Sequence, residues 1–217
     1  MDKQHPIKIL LVLLFTLAAC APSPTSSNIS PLQGKNVMLS DDFSPPNAAW
    51  TLFDTPEGSA YVQQGELYIE DRGQGIGIYT QLMNHTWEDV LISMRVRQVE
   101  GSQNNWMGLT CRQQDEENYY LFAISADGYY LILKMEEGMR TRLAGPAKST
   151  IISPGKETNQ LEVSCEGSTL ALSVNGQKLA TRTDGSFTGG NVALFADAVE
   201  GGSMTTAAFD AFVISEP

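Results

Sequence analysis

Apolar and polar side chains alternate with a period of two along most of the chain beyond residue 36. The alternation is clearest in residues 90–97, 161–166 and 170–174. Successive side chains of a β-strand point to opposite faces, so this pattern is typical of strands that bury one face. The spacing of three and four residues that marks an amphipathic helix is not sustained anywhere in the same region. The pattern therefore predicts an all-β fold.

Two dipeptides predict where strands turn back on themselves. Asp127-Gly128 lies between apolar runs within residues 106–134, and Asn175-Gly176 follows residues 170–174. Asp-Gly and Asn-Gly supply the positive φ angles of tight hairpins, so residues 106–134 are predicted to form three strands in the middle of an antiparallel sheet. Further strands are predicted near residues 37–43, 60–63, 66–70, 76–80, 139–143, 191–196 and 205–214. A dozen or more short strands predict a two-sheet antiparallel jelly-roll sandwich.

Residues 1–19 are predicted to be a signal peptide rather than part of the folded domain. Lys3 and Lys8 supply positive charge, and the apolar residues 9–17 are too few to span a bilayer. The Leu-Ala-Ala-Cys quartet that ends at Cys20 resembles the lipobox of bacterial lipoproteins. This resemblance implies cleavage before Cys20 and acylation of its thiol, and two or three acyl chains anchor a protein stably. The alternative is an ordinary secretory signal that happens to end at a cysteine.

The segment after the signal predicts a tether followed by one domain. Residues 20–35 are rich in Pro, Ser, Thr and Asn and contain few large apolar side chains, so they are predicted to be a flexible tether behind the lipidated cysteine. Residues 36–217 are long enough for a single jelly-roll β-sandwich domain. The expected location is extracytoplasmic, with the protein anchored to the bacterial membrane through Cys20.

The net charge of the chain argues against one class of partner. The whole chain carries a formal charge of −11, and the part after residue 19 has 12 basic and 24 acidic residues, or −12. Such a surface repels the phosphates of nucleic acids, and no basic stripe offsets the repulsion. Nucleic acid is therefore not expected as a partner, whereas the membrane is expected to be contacted through the lipid anchor.

Two cysteines remain beyond Cys20, and they are predicted to form a disulfide. Cys111 and Cys165 both fall at the inward positions of strands that are expected to lie near each other. An exported compartment is oxidising enough for them to pair. The alternative is a pair of free, buried thiols that pack as small apolar side chains.

Ordered sequence features resemble bacterial extracellular domains of the concanavalin A-like lectin/glucanase superfamily. They are the Asp41-Asp42-Phe43 triplet with Trp50, residues 108–134, residues 159–176 and residues 209–214. The likeness covers most of residues 37–215 and implies a concanavalin A-like sandwich. Relatives with this fold include laminin G-like and sugar-binding modules, glucanases, and domains that act on 3-keto-glycosides. The fold alone does not choose among these functions.

The residues do not favour catalysis. Retaining glucanases of this superfamily place two carboxylates on one strand as Glu-x-Asp-x-x-Glu, and this motif does not occur here. We therefore assign no catalytic residue and no cofactor. Asp41, Asp42 and Asp210 are oxygen ligands of the kind that calcium prefers. We favour the alternative that these aspartates open a strand, cap a turn or pair with a neighbour, so no metal site is assigned.

Strand parity predicts a ligand-binding face instead. If Leu109 and Cys111 point inward, their neighbours on the strand point outward, barring a bulge. On the next two strands Tyr120, Phe122 and Ile124 are expected in the core, which leaves Tyr119 and Tyr129 outward. The predicted ligand-binding residues are Trp106, Arg112, Tyr119, Tyr129 and Arg95. Aromatic rings stack on sugars, and guanidinium groups donate hydrogen bonds to hydroxyl or carboxylate oxygens. The alternative is that loops cover the rings and that the arginines pair with the surplus carboxylates.

These observations predict that the domain binds a carbohydrate or another cell-envelope ligand without catalysis. One alternative function is a glycoside-processing enzyme of the 3-keto-glycoside hydrolase or lyase type. Another is a structural partner in an envelope complex. A groove with two or more carboxylates on its floor would favour the enzyme, aromatic rings with arginines would favour binding, and a flat, closed sheet would favour the structural role.

Overall fold

A computed structural model describes residues 35–45, 50–75, 77–199 and 203–217. The predicted signal peptide, Cys20 and almost all of the predicted tether lie outside these residues. The described residues form fifteen β-strands and no helix, which confirms the all-β prediction. Accordingly, none of the described residues belongs to a helix that is long and apolar enough to cross a membrane.

The strands follow the predicted segments closely. In chain order they are β1 Val37–Asp41, β2 Phe53–Asp54, β3 Gly58–Gln63, β4 Glu66–Asp71, β5 Ile78–Gln81, β6 Val90–Gly101, β7 Trp106–Gln113, β8 Tyr119–Ser125, β9 Tyr129–Glu136, β10 Met139–Lys148, β11 Asn159–Glu166, β12 Thr169–Val174, β13 Gln177–Thr183, β14 Asn191–Asp197 and β15 Thr205–Ser215. The sequence did not predict the short β2. It also ended β10 at residue 143, although this strand continues to Lys148.

Two antiparallel sheets make up the sandwich. The larger sheet has the order β13-β12-β11-β6-β15-β4-β3-β2, with β1 also paired to β15. The smaller sheet has the order β10-β9-β8-β7-β14-β5, so the three strands within residues 106–134 lie in its middle, as predicted. The inward side chains of both sheets form the core, and Tyr120, Phe122 and Ile124 belong to it as strand parity predicted.

The two predicted hairpins differ in their turns. Asn175 and Gly176 both have positive φ, at 50° and 77°, and they join β12 to β13 as the two-residue loop that Asn-Gly predicts. Between β8 and β9 the loop has three residues, 126–128, and only Gly128 has positive φ, at 91°. The prediction that both Asp127 and Gly128 adopt positive φ is therefore wrong, although the hairpin itself is present.

A disulfide joins the two sheets. Cys111 lies on β7 of the smaller sheet and Cys165 on β11 of the larger one, and their Cα atoms are 7.0 Å apart. Both residues are fully buried in the core. The predicted disulfide between these cysteines is thus present.

Candidate ligand-binding site on the six-stranded sheet

The outward face of the six-stranded sheet carries an apolar cluster separate from the core. Its members are Tyr119, Leu121, Ala123, Leu131 and Phe195, with Tyr79, Trp106, Leu133 and Met135 packed against them. The antiparallel register brings these side chains together, because Tyr119 lies opposite Met135 and Leu121 lies opposite Leu133. The five members of the cluster are buried, so they form a second, smaller core on the outward side of this sheet.

A cavity of about 290 Å³ opens on this face. It is lined by Tyr79, Trp106, Tyr119, Leu121, Leu131, Leu133, Met135, Arg140, Arg142, Pro146, Phe195 and Asp197. One wall comes from β10, where Arg140 lies opposite Met135 and Arg142 lies opposite Leu133. The cavity therefore combines an apolar floor, aromatic rings and a charged rim.

Two tyrosines mark one end of the cavity. The hydroxyl groups of Tyr79 and Tyr119 are 3.0 Å apart and share a hydrogen bond, and the Tyr79 ring stacks on Phe195 with 5.7 Å between the ring centroids. Burial, followed by the interaction with Tyr119, raises the pKa of Tyr79, so its phenol stays protonated. Both tyrosines also line an adjoining groove of about 560 Å³ that includes Gln113 and Glu116.

Asp197 is the carboxylic acid that lines the cavity among the described residues. Burial raises the pKa of Asp197 above its ordinary value, and the nearby Asp71 carboxylate raises it further, whereas Arg140 acts in the opposite direction. Asp71 itself is fully buried, and its two oxygens accept the backbone N–H groups of Gly73 at 2.8 Å and Ala198 at 2.7 Å. Asp71 therefore holds the local backbone and does not line the cavity.

The two arginines of the cavity differ from the other arginines of the chain. Arg140 and Arg142 are exposed, and within the described part of the chain neither donates a hydrogen bond nor forms an ion pair. The other five, which all have such partners, are Arg72, Arg95, Arg97, Arg112 and Arg182. The guanidinium groups at the cavity rim are thus available to a ligand.

Strand parity placed two of the five predicted ligand-binding residues on the face that carries the cavity, and their binding of a ligand stays a prediction. Trp106 and Tyr119 both line the cavity. Tyr129 has the outward parity of Leu131, but it lies at the hairpin end of β9 and does not line the cavity. Instead, the Lys148 ammonium group lies 5.6 Å from the centroid of its ring.

Arg112 does not lie on the outward face, and the prediction for it is wrong. Its side chain is 1% exposed, and the guanidinium donates to the carbonyl oxygens of Glu88, Gly167 and Phe187 and to the Asp89 carboxylate. The physical reason is a β-bulge. Arg112 has a φ of 51°, and the pairing of β7 with β14 shifts register at this point. Parity beyond the bulge is reversed.

Arg95 is likewise absent from the candidate site, because it belongs to the other sheet. It lies on β6 and pairs with Asp210 at 2.5 Å. Its outward parity was predicted correctly. However, the outward face of the nine-stranded sheet lies on the opposite side of the sandwich from the cavity. The alternative weighed for the arginines, that they pair with surplus carboxylates, therefore holds for Arg95 and Arg112.

The aspartates that were considered as calcium ligands have protein partners. Asp41 accepts the backbone N–H of Phe43 at 2.8 Å and the indole N–H of Trp50 at 3.0 Å. Asp42 accepts the backbone N–H of Ser44, and Asp210 pairs with Arg95. Within the described ranges, no three His, Cys, Asp or Glu side chains are grouped as a metal site requires.

Several residues of the cavity were not predicted from the sequence, namely Tyr79, Arg140, Arg142, Phe195 and Asp197. The alternation of Arg140 and Arg142 with their neighbours was a usable signal, since both lie on one face of a predicted strand. Nothing in the local sequence showed that this face adjoins Trp106. That proximity follows from the strand order of the sheet.

The fold and the cavity define a concanavalin A-like β-sandwich of a carbohydrate-related kind. Residues 86–215 match the family described as the beta xylosidase C-terminal concanavalin A-like domain, and the chain belongs to this family. A comparison with curated proteins finds no match.

Solved structures agree on the fold. A Bacillus subtilis protein of unknown function with a galectin-like fold is 12% identical, with a TM-score of 0.62, and the match covers 83% of this chain and 96% of that one. The carbohydrate binding module CBM66 from Bacillus subtilis is 18% identical, with a TM-score of 0.55 and coverages of 78% and 96%. The GH43 protein BlXynB from Bacillus licheniformis is 14% identical with a TM-score of 0.59, and the match covers 86% of this chain but 40% of that protein.

Proposed function

We propose that this protein is a membrane-anchored extracytoplasmic lipoprotein whose β-sandwich binds carbohydrate in the cavity of the six-stranded sheet without catalysis. The observation that carries the binding proposal is the cavity itself, in which Trp106, Tyr79 and Tyr119 surround an apolar floor beside two unpaired arginines. Aromatic rings accept the C–H faces of sugars, and tyrosine hydroxyls and guanidinium groups donate to sugar oxygens. Family membership and the structural likeness to a carbohydrate binding module support the same ligand class.

The composition of the cavity supports binding rather than hydrolysis. Glycoside hydrolysis by the usual mechanisms needs two carboxyl groups about 5 to 10 Å apart across the scissile bond. Among the described residues, Asp197 supplies one carboxyl group to the cavity. Glu116 belongs to the adjoining groove, and Asp71 is occupied by backbone N–H groups. A sugar in the cavity would therefore contact aromatic rings, guanidinium groups and one carboxyl group, whereas hydrolysis needs two carboxyl groups.

The binding proposal is tested with two matched alanine variants of the full-length protein on a glycan array. Trp106→Ala removes an aromatic wall of the cavity, whereas Tyr129→Ala removes an aromatic ring of the same sheet that does not line it. Stacking of a sugar ring on an indole contributes on the order of 1 kcal/mol, so Trp106→Ala should weaken glycan binding about five-fold. Tyr129→Ala should bind as the wild type does.

Two results would contradict the binding proposal. One is an array on which the wild type binds no glycan. The other is equal binding by wild type and Trp106→Ala, with denaturation curves that show both proteins to be folded. A large loss of stability in Trp106→Ala would instead indicate that this indole is part of the packing, and the milder Trp106→Phe substitution then measures the contribution of the ring.

The anchoring part of the proposal rests on the positive residues, the short apolar stretch and the quartet that ends at Cys20. The disulfide between Cys111 and Cys165 is consistent with an oxidising compartment. Cys20→Ser removes the thiol that would be acylated. It should abolish labelling by a fatty-acid probe and release the protein from membranes or block its processing. Equal labelling of the variant and the wild type would contradict lipidation at this residue.

An enzymatic role in glycoside processing is the second candidate, and one observation favours it. Asp197 lies in the cavity with a raised pKa, which is the property expected of a general acid. Incubation of the protein with glycosides and 3-keto-glycosides, followed by chromatography of the products, tests this role. Turnover that disappears in Asp197→Asn would favour the enzyme over the binding protein.

A further inference from the structure

We infer that the cavity selects acidic sugars, and that Arg140 and Arg142 together bind the carboxylate of a uronic or related sugar acid. This inference rests on the proposed carbohydrate binding and specifies the chemical class of the ligand. The two residues are separated by one position on β10, so their side chains leave the same face of the strand about 7 Å apart. That face is the one that lines the cavity.

The distribution of charge in the chain supports this inference. Acidic residues outnumber Lys and Arg by 25 to 14. Among the described residues, Arg72, Arg95, Arg97, Arg112 and Lys134 form ion pairs with carboxylates. Arg95 and Arg97, which are also two positions apart on one strand, each pair with an acid, at 2.5 and 2.6 Å. Arg140 and Arg142 have no such partner among the described residues, although they repeat the same spacing. Two adjacent unpaired cations in an acidic protein form a local site for an anion.

The chemistry of the cavity favours a carboxylated sugar over a small anion. Guanidinium groups bind carboxylates through parallel hydrogen bonds, and such charge-assisted bonds are stronger than those to neutral hydroxyls. The apolar floor opposite Arg142 begins at Leu133, and Trp106 provides a ring at the other side of the cavity. A free inorganic anion would leave these apolar surfaces without a contact. A sugar ring that carries a carboxylate would cover them and reach the arginines at once.

Asp197 fits the same arrangement from the opposite side. It lies on β14, directly across from Trp106, whereas Arg142 lies on the edge strand β10. A carboxylate bound to the arginines would lie at the β10 side, and Asp197 on β14 would accept hydrogen bonds from the sugar hydroxyls. The cavity thus has two cations on β10 and one acid on β14, and Arg140 is near enough to Asp197 to lower the pKa of its carboxyl group.

The test uses matched glycan pairs that differ only in charge. Oligomers of galacturonate, glucuronate, mannuronate and guluronate are each compared with the neutral oligomer made by reducing the carboxyl groups. Sialylated glycans are compared with the same glycans after amidation of the sialic acid carboxyl group. The full-length protein should bind at least one acidic member at least about ten-fold more tightly than its neutral counterpart. This preference should shrink as NaCl is raised, because the site lies at the surface.

Charge-removing variants assign the preference to the two arginines. Arg140→Gln and Arg142→Gln should each reduce the preference for the acidic member several-fold. Binding of the neutral member should weaken much less, because a neutral hydroxyl forms a weaker bond to a guanidinium group than a carboxylate does. Arg95→Gln, on the opposite sheet, is the matched control and should retain the full preference. Inorganic phosphate at millimolar concentration should compete weakly or not at all, since it lacks the ring that contacts Trp106.

The outcomes separate this inference from the proposed function. Equal binding of acidic and neutral members, with loss of both in Trp106→Ala, would overturn the acidic preference and leave carbohydrate binding standing. Retention of the preference in both arginine variants would overturn the assignment to these residues. Failure to bind any member of any pair would contradict the inference and the proposed function together. Full competition by phosphate would show a simple anion site instead.

Discussion

Replacing Arg112 with alanine should destabilise the sandwich strongly, because this arginine ties three separate segments together. Its guanidinium group donates to the carbonyl oxygens of Glu88 at 3.0 Å, Gly167 at 2.6 Å and Phe187 at 2.9 Å. A fourth bond, of 2.9 Å, reaches the Asp89 carboxylate, which is half exposed. The side chain of Arg112 is 1% exposed, so these bonds are shielded from water.

The expected loss follows from the acceptors that the substitution leaves behind. A buried polar group that loses its partner costs about 1 kcal/mol or more, and Arg112 satisfies three carbonyl oxygens. The free energy of unfolding should therefore fall by about 3 kcal/mol. Asp89 adds little to the loss, because half of its surface is in contact with water. Arg112→Lys should restore little, since an ammonium group cannot reach several acceptors in the geometry of a planar guanidinium.

Urea denaturation of the full-length protein, followed by tryptophan fluorescence, measures this loss. Arg95→Ala is the matched control, because Arg95 also pairs with one acid but its side chain is 47% exposed, and its loss should cost about 0 to 1 kcal/mol. The midpoint for Arg112→Ala should lie well below that of the control, with a similar dependence on urea. Coincident curves for the two variants would refute the structural role of Arg112. Unchanged stability with weakened glycan binding would instead restore the ligand role that the sequence predicted.

Three further predictions concern the disulfide, the acid of the cavity and a glycine of β7. Replacing Cys111 and Cys165 together with alanine should lower the free energy of unfolding by about 4 kcal/mol, because the bridge closes a loop with a sequence separation of 54. Two reactive thiols in the denatured, unreduced wild type would show that the bridge is absent. The pKa of Asp197 in the folded protein lies above its ordinary value of 3.8, so protonation of this residue stabilises the fold. The stabilisation is complete below pH 3.8 and is lost as the pH rises through the pKa of the folded state. Asp197→Asn, which cannot ionise, should therefore be more stable than the wild type at pH 7 and no more stable below pH 3.8, and a difference that is constant with pH would contradict the assignment. Gly108→Ala should lower the free energy of unfolding by about 1 to 3 kcal/mol, because the new Cβ would lie 2.0 Å from the carbonyl oxygen of Phe122. An unchanged melting temperature would show that β7 and β8 can move apart at this position.

The sequence by itself determined the strands, their parity and much of the core. The period of two is a local property, so it identified Tyr120, Phe122 and Ile124 as inward and Tyr119 as outward without any knowledge of the partner strands. The Asn175-Gly176 turn was equally local, because the two residues supply the required φ angles themselves. The disulfide followed once both cysteines had inward parity.

The tertiary structure alone decided which outward residues share a site. Arg112 leaves the outward face because of a bulge that depends on a distant residue. A Cβ at Gly190 would lie 2.5 Å from the carbonyl carbon of Arg112, so only a glycine permits this close approach of the backbone. Arg95 is outward on the wrong sheet, and Arg140 and Arg142 reach the cavity because β10 pairs with β9. Parity is set by adjacent peptide units, whereas bulges, register and strand order are set by hydrogen bonds between segments far apart in the chain, and these carry no signal in the local sequence.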